Sequence, residues 1–277
     1  MKTNKIICGN CVDVMRKMEE GSVNLTVTSP PYDGLREYNG YEFDVEKIAT
    51  ELSYVTAPGG VVVWVVNDET KNGGKTGNSF RQALLFQELG FKLYDVLIYQ
   101  KTGTSFPSNA RYTGVTEYMF IFSRGKPGTI NLIKDVPKQW AGSFGGTTQR
   151  QKDGSLKKSA AKNCGAGKSG RAVGDEYGYK ARSNIWTIPN GYGFGHPDKD
   201  LAKKHPATFP YALARDHILS WSNPGDTVLD PMGGSGTTAR AAKALGRNYI
   251  HIDVSQEYCD IAKERLELVE WEQNLER

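Results

Sequence analysis

Cysteine is scarce: Cys8, Cys11, Cys164 and Cys259 are the whole complement of a 277-residue chain. Thiols so few and so scattered exclude the disulfide framework of a small secreted domain. Histidine is equally sparse, and His196, His205, His217 and His251 form no spaced cluster. The Cys8-x-x-Cys11 pair has no second Cys or His pair at a suitable distance, so no metal site is expected. Long hydrophobic runs are missing too. The longest block is Val61-Val62-Val63-Trp64-Val65-Val66, far short of the roughly 20 residues that span a bilayer. After Met1-Lys2-Thr3-Asn4-Lys5 come only Ile6 and Ile7, which gives no secretory signal. A reduced, cytoplasmic chain with no membrane contact is the expectation. With 38% hydrophobic and 24% charged residues the composition supports a core and excludes wholesale disorder.

The net charge of +4 is modest, but its placement is uneven. Between Lys134 and Arg182 stand eleven basic residues against four acidic ones, Asp135, Asp153, Asp175 and Glu176. A basic insert on a mildly acidic body fits a polyanion contact, and it equally fits a solvated loop.

Outside that stretch, short β-rich runs alternate with helical ones. Strands are expected at 6–7, 23–28, 61–66, 92–99, 118–122, 227–229 and 249–252. Helices are expected at 13–20, 45–55, 79–89, 210–221, 237–245 and 258–268. This alternation predicts an α/β fold, doubly wound around a mainly parallel sheet. Residues 134–190 lose the rhythm and hold nine glycines. They are either a loop-rich substrate-reading module or a segment that orders on binding a partner. The organisation read from pattern is therefore 1–133, an inserted 134–190, and 191–277.

The sharpest local pattern is Thr227-Val228-Leu229-Asp230-Pro231-Met232-Gly233-Gly234-Ser235-Gly236-Thr237-Thr238. A strand ends in an acid, passes a glycine-rich turn and enters an alanine-rich helix. Glycines there let a ligand approach the backbone and offer N–H groups at a helix start. The next strand ends in Asp253, positioned as an acceptor for ribose hydroxyls. A dinucleotide site prefers G-x-G-x-x-G, whereas here a carboxylate sits at the strand tip. It would repel a pyrophosphate and attract a cationic group, which points to S-adenosylmethionine.

A second block, Ser29-Pro30-Pro31-Tyr32, follows the strand ending at Thr28. Two prolines remove two N–H donors and leave an acceptor-only rim. The Ser29 hydroxyl adds an acceptor and Tyr32 a flat face. Such a set suits an exocyclic amine on a nucleobase, whose lone pair attacks only once its N–H bonds are held pyramidal. A duplex base would first be flipped out and stacked on the aromatic. The alternative is that the prolines merely turn the chain.

Together the two blocks resemble those of the β-class DNA amino-methyltransferases, which methylate cytosine or adenine amines using S-adenosylmethionine. That family has the order found here: catalytic block, target-recognition region, cofactor block. The resemblance implies a Rossmann-like methyltransferase fold with permuted motif order. It implies catalytic roles for Ser29, Pro30, Pro31 and Tyr32. It implies cofactor contacts from Asp230, Gly233, Gly234, Ser235, Gly236, Thr237, Thr238 and Asp253. His205-Pro206-Ala207-Thr208-Phe209-Pro210 is similar to a family segment lining the methionine side, which brings in His205, Ala207 and Phe209. Near the adenine the family usually reads Gly-Asp and this chain has Gly9-Asn10, so Asn10 takes that place. Residues 95–101 and 107–122 resemble the border of the target-base pocket.

In this family Ser-Pro-Pro-Tyr goes mainly with N4-cytosine methylation and Asp-Pro-Pro-Tyr mainly with N6-adenine, so cytosine N4 is expected and adenine N6 is the alternative. Double-stranded DNA is the expected partner. A homodimer and a cognate restriction endonuclease are left open by the resemblance. The basic middle, with Trp140, Arg150, Lys157, Lys158, Arg171 and Arg182, is expected to supply target recognition. Two other readings compete. A nicotinamide-dependent oxidoreductase is opposed by Asp-Pro before the glycines. A catalytically silent binding module would be expected to have lost one of the blocks.

Overall fold

The computed structural model describes residues 2–31, 43–102, 110–138, 148–158, 178–190, 197–205 and 207–275. In chain order the elements are β1 (Lys5–Cys8), α1 (Cys11–Met15), β2 (Val23–Thr28), α2 (Val45–Val55), β3 (Thr56–Val66), β4 (Thr70–Lys71), β5 (Gly74–Lys75), α3 (Asn78–Glu88), β6 (Lys92–Lys101) and β7 (Thr116–Ser123). They continue with β8 (Lys134–Pro137), β9 (Thr148–Arg150), β10 (Leu156–Lys158), β11 (Tyr179–Ala181), β12 (Ile185–Ile188), α4 (Lys199–Ala202), α5 (Tyr211–Trp221), β13 (Thr227–Asp230), α6 (Thr237–Ala244), β14 (Asn248–Asp253) and α7 (Gln256–Leu275).

Eight strands form one sheet in the order β1-β14-β13-β2-β3-β7-β6-β12. Only β7 runs against its neighbours; the other pairings are parallel. Parallel strands need helices on both faces, and alternation along β3 shows how they are met. Val62, Trp64 and Val66 face a core shared with α1, α2 and α3, where Phe86 stacks on Phe122 at 4.4 Å. Val61, Val63 and Val65 face a second core with Leu213, Ala214 and Ile218 of α5 and Ala241 and Ala242 of α6. Each fully buried aliphatic side chain of this kind contributes about 1.5–3 kcal/mol. Among the described residues no helix is long and apolar enough to cross a membrane.

The chain leaves β2 toward β3 on one side and β13 toward β14 on the other. The sheet therefore has its topological switch point between β2 and β13, the place where such folds open a crevice at the carboxyl ends of their strands.

Two compact units are present, one made of Met1–Asn131 and Asn184–Arg277, the other of Leu132–Ser183. The insert expected over 134–190 thus ends earlier. Residues 185–188 are β12, paired parallel to β6 in the main sheet. Trp186 and Ile188 turn inward while Ile185 and Thr187 turn out, a two-residue period too short to stand out behind a Lys- and Gly-rich run. The smaller unit contains the antiparallel pairs β8–β11 and β9–β10, with Arg182 paired to Asp135. Arg150 and Lys157 are exposed there. Trp140 and Arg171 lie outside the described residues, as does the side chain of Lys158.

Candidate active site

At the switch point two distant stretches meet. Thr28, the last residue of β2, donates from Oγ1 to Asp230 Oδ1, the last residue of β13, at 2.8 Å. Thr238 Oγ1, at the start of α6, donates to the Val27 carbonyl at 3.2 Å. The Ser29-Pro30-Pro31 block and the 231–236 loop are therefore pinned side by side. Ser29 and Pro31 are half-buried and Pro30 is buried. Tyr32 lies outside the described residues.

Asp230 was expected to face a cationic ligand; it is buried and occupied instead. The Thr28 hydroxyl and the Met232 N–H both donate to its Oδ1, and burial nonetheless pushes its pKa up to about 6. The acid ties the two strands together.

The glycine loop likewise differs from the expected cradle of free N–H groups. The Gly233 N–H donates to Ile252 O, that of Gly234 to Asp253 Oδ2 and that of Gly236 to Gly233 O. These three donors are spent internally, which leaves fewer N–H groups for a ligand and makes this part of the loop a close-fitting wall. Its glycines are still required. Gly236 has φ +82°, and a Cβ there would come within 2.6 Å of the Ala262 Cβ on α7. Gly234 has φ +50° and lies against the His205 ring. Beneath it the His251 imidazole abuts Gly233. Burial, helped by the Arg265 guanidinium, lowers the pKa of His251 to about 3 and keeps it neutral.

The remaining expected residues divide by what they touch. Asp253, at the end of β14, is half-exposed; its Oδ2 accepts from Gly234 N and its Oδ1 from Ser255 N, each at 2.8 Å. Each oxygen keeps a lone pair for a further donor, which fits a ribose diol. Burial raises its pKa. Asn10 caps α1, its Oδ1 accepting from Val12 N at 2.9 Å and Asp13 N at 3.4 Å; this moves the helix start to Cys11 and commits the amide oxygen expected to meet adenine. His205 packs edge-on to Tyr258 at 4.3 Å, and its Nδ1 accepts from Ala207 N. Ala207 is exposed, whereas Phe209 packs against the second core. Ser235, Thr237 and Thr238 are buried. At the far side of the edge, Lys101 Nζ pairs with Glu117 at 2.5 Å.

Sequence reasoning missed what lies behind the loop. Arg265 of α7, fully buried, donates through Nη1 to Ser235 O at 2.7 Å, to Ser235 Oγ at 3.0 Å and to Thr237 Oγ1 at 3.0 Å. Its Nε donates to Asp198 at 2.6 Å, and Arg240 lies 3.2 Å from the same carboxylate. Burial acts to raise the Asp198 pKa, but the two guanidiniums outweigh it and hold it below the ordinary value. A signal was available: Arg265 interrupts the apolar stripe of Ile261, Ala262, Leu266 and Val269.

With this geometry in view, comparison with known proteins is decisive. The DNA methylase family model, for N6 and N4 methylases, matches residues 23–264. The chain belongs to this family. It is 52% identical over 250 residues to the orphan methyltransferase M.BamHII of Bacillus amyloliquefaciens, covering 88% of this chain and 89% of that one. It is 29% identical over 306 residues to the type II methyltransferase M.MthZI of Methanothermobacter thermautotrophicus, covering 95% and 76%. Its fold is similar to that of PvuII DNA methyltransferase (cytosine-N4-specific), with TM-score 0.66 at 19% identity over 96% of this chain and 86% of that one. It is also similar to the M1.HpyAVI–SAM complex, with TM-score 0.60 at 20% identity over 95% and 98%. The chain is a DNA amino-methyltransferase of the N6/N4 family, with S-adenosylmethionine as methyl donor. The half-exposed Asp253 carboxylate beside the glycine wall fits the ribose of that cofactor.

Proposed function

We propose that this DNA methylase is cytosine-N4-specific and acts on a base flipped out of double-stranded DNA. The observation that carries the reading is Ser29. A neutral hydroxyl, and not a carboxylate, opens the catalytic block at the switch point, and in this family that residue goes mainly with cytosine.

S-adenosylmethionine, when bound, supplies an activated methyl group. Ser29 and the carbonyl rim around Pro30 and Pro31 accept the N–H bonds of the target amine. Holding both N–H bonds favours a pyramidal nitrogen with its lone pair free for attack. The amine sheds its extra proton afterwards, so no strong base has to be placed beside it. Tyr32 is assigned the stacking face on its place in the motif. Asp253 holds the ribose, and Asn10, His205 and Ala207 border the cofactor. Asp230, Ser235, Thr237 and Thr238 hold the wall in shape behind it.

The smaller basic unit, 132–183, is the proposed target-recognition region, with Arg150 and Lys157 among its phosphate contacts. Affinity for DNA then falls steeply as salt rises. Digesting DNA methylated by the purified protein and weighing its nucleosides tests the specificity. N4-methylcytosine is expected; N6-methyladenine alone would transfer the enzyme to the other branch of the family, since a hydroxyl can accept from either amine.

A further inference from the structure

Beyond the active site, the same edge of the sheet carries a second built surface. After β3 the chain passes Asn67 and Asp68 and forms the β4–β5 hairpin. Its turn is Asn72-Gly73, with φ +50° and +77°, a pair suited to a two-residue hairpin turn. The base of the hairpin is fixed. Asp68 Oδ1 accepts from Ser79 N at 2.9 Å and its Oδ2 from Ser79 Oγ at 2.8 Å, while Thr76 N donates to Glu69 O. The tip is tied as well: Arg111 donates to the Gly73 carbonyl, which holds the segment before β7 against it. Asn67 Nδ2 closes the same junction on Thr116 O at 3.1 Å.

Out of this frame stand Lys71, Lys75, Arg81 and Arg111, all exposed. Lys75 and Arg81 spend donors on the carbonyls of Asp68 and Thr76 and on Asn78. Among the described residues none of the four cations meets a carboxylate at ion-pair distance. Beside them Tyr112 is fully exposed, at 101% of its reference area. Cations that meet no carboxylate and a bare ring, held on a braced scaffold that follows β3, have the chemistry of a nucleic-acid contact: positive charge for phosphates and a π face for a base.

We propose that the β4–β5 hairpin and the Arg111-Tyr112 segment form a second duplex-DNA contact, separate from the basic unit. Lys71, Lys75, Arg81 and Arg111 meet phosphates beside the target, and Tyr112 stacks where a base step has been opened. The proposal rests on duplex DNA being the substrate.

Fluorescence anisotropy with a mixed-sequence 30-base-pair duplex, titrated over a potassium chloride series, tests it. Lys71→Ala with Lys75→Ala should reduce the slope of log affinity against log salt by about 2, or about 0.9 per lost phosphate contact. Calorimetric affinity for S-adenosylmethionine should stay unchanged, which shows that the fold is intact. On a duplex carrying one abasic site, Tyr112→Ala should bind about tenfold more weakly and Tyr112→Phe as well as the wild type. A double variant with the wild-type slope would overturn this surface alone, as would Tyr112→Phe losing as much as Tyr112→Ala. A wild-type protein that binds no duplex would overturn the substrate class together with the surface.

Discussion

Thr28 and Asp230, 202 positions apart in sequence, are joined by a 2.8 Å hydrogen bond between the carboxyl ends of adjacent parallel strands. Thr28 immediately precedes Ser29, and Asp230 opens the glycine loop. Together with the Thr238–Val27 bond, this contact sets the spacing between the Ser29-Pro30-Pro31 block and the glycine loop, the proposed amine site and cofactor wall.

Replacing Thr28 by Val keeps the shape and removes the hydroxyl. Asp230 would retain the Met232 N–H as a donor but lose its partner on the other strand. Leaving a buried acceptor short of a donor costs about 1–3 kcal/mol, readable in urea unfolding. Ser29 loses its anchor, so kcat should fall about tenfold, in line with the sensitivity of transfer reactions to small displacements. Cofactor affinity should hardly move. A Thr28→Val enzyme with wild-type kcat would show that the bond does not position Ser29.

Asp230 makes stability depend on pH in an unusual sense. Its pKa is raised from 3.8 to about 6 in the folded protein, so the native state binds the proton more tightly than the unfolded chain. The contribution is fully present below pH 3.8 and is lost as pH rises through about 6. Across that window the wild type should lose about 3 kcal/mol relative to Asp230→Asn, which does not titrate. Thermal melts of both proteins at matched pH check this, because the titration of His251 and the other groups cancels in the difference. Parallel curves would show that Asp230 is ionised at ordinary cost.

Much of the frame was legible because it rests on local periodicity. The β3 alternation and the two motif blocks mark strands and site directly. What escaped depends on tertiary context. The strand expected at 61–66 begins at Thr56 and runs through Gly59-Gly60: Gly59 takes φ +77° and its N–H donates to Arg124 O, while the pairing with β2 shifts register. Asn10 takes its place by the adenine from the resemblance alone, whereas in the fold its amide oxygen caps the helix that starts at Cys11. Asp230 and three of the loop N–H groups are likewise engaged within the protein. Sequence shows which polar atoms a turn contains, but not that the protein has already satisfied them.

Arg265 tests whether the loop is held from behind. Arg265→Met removes the donors to Ser235 and Thr237 and one of the cations facing the buried Asp198. Breaking such a buried pair costs about 3–5 kcal/mol, at the low end here because Arg240 stays beside the carboxylate. Calorimetry should show weakened S-adenosylmethionine binding, and Arg265→Lys should recover part of the stability but little of the affinity, having no fork to reach both Asp198 and the loop. Equal affinity in Arg265→Met and wild type would reduce the residue to a purely structural one.

Asp253→Asn separates charge from geometry at the adenosine end. In the wild type both carboxylate oxygens accept backbone N–H groups from opposite sides, Gly234 on one and Ser255 on the other. An amide has a single acceptor oxygen, so whichever way it turns, its NH2 group opposes one of those donors. The Gly234 turn would be released or the Ser255 turn strained, and a ribose diol would lose one of its acceptors. Calorimetry should show at least about a tenfold loss of S-adenosylmethionine affinity, matching about 1.4 kcal/mol for one unsatisfied buried donor. S-adenosylhomocysteine, which has the same ribose without the sulfonium charge, should lose the same factor. A loss confined to S-adenosylmethionine would mean that Asp253 acts by its charge on the sulfonium and not by gripping the sugar.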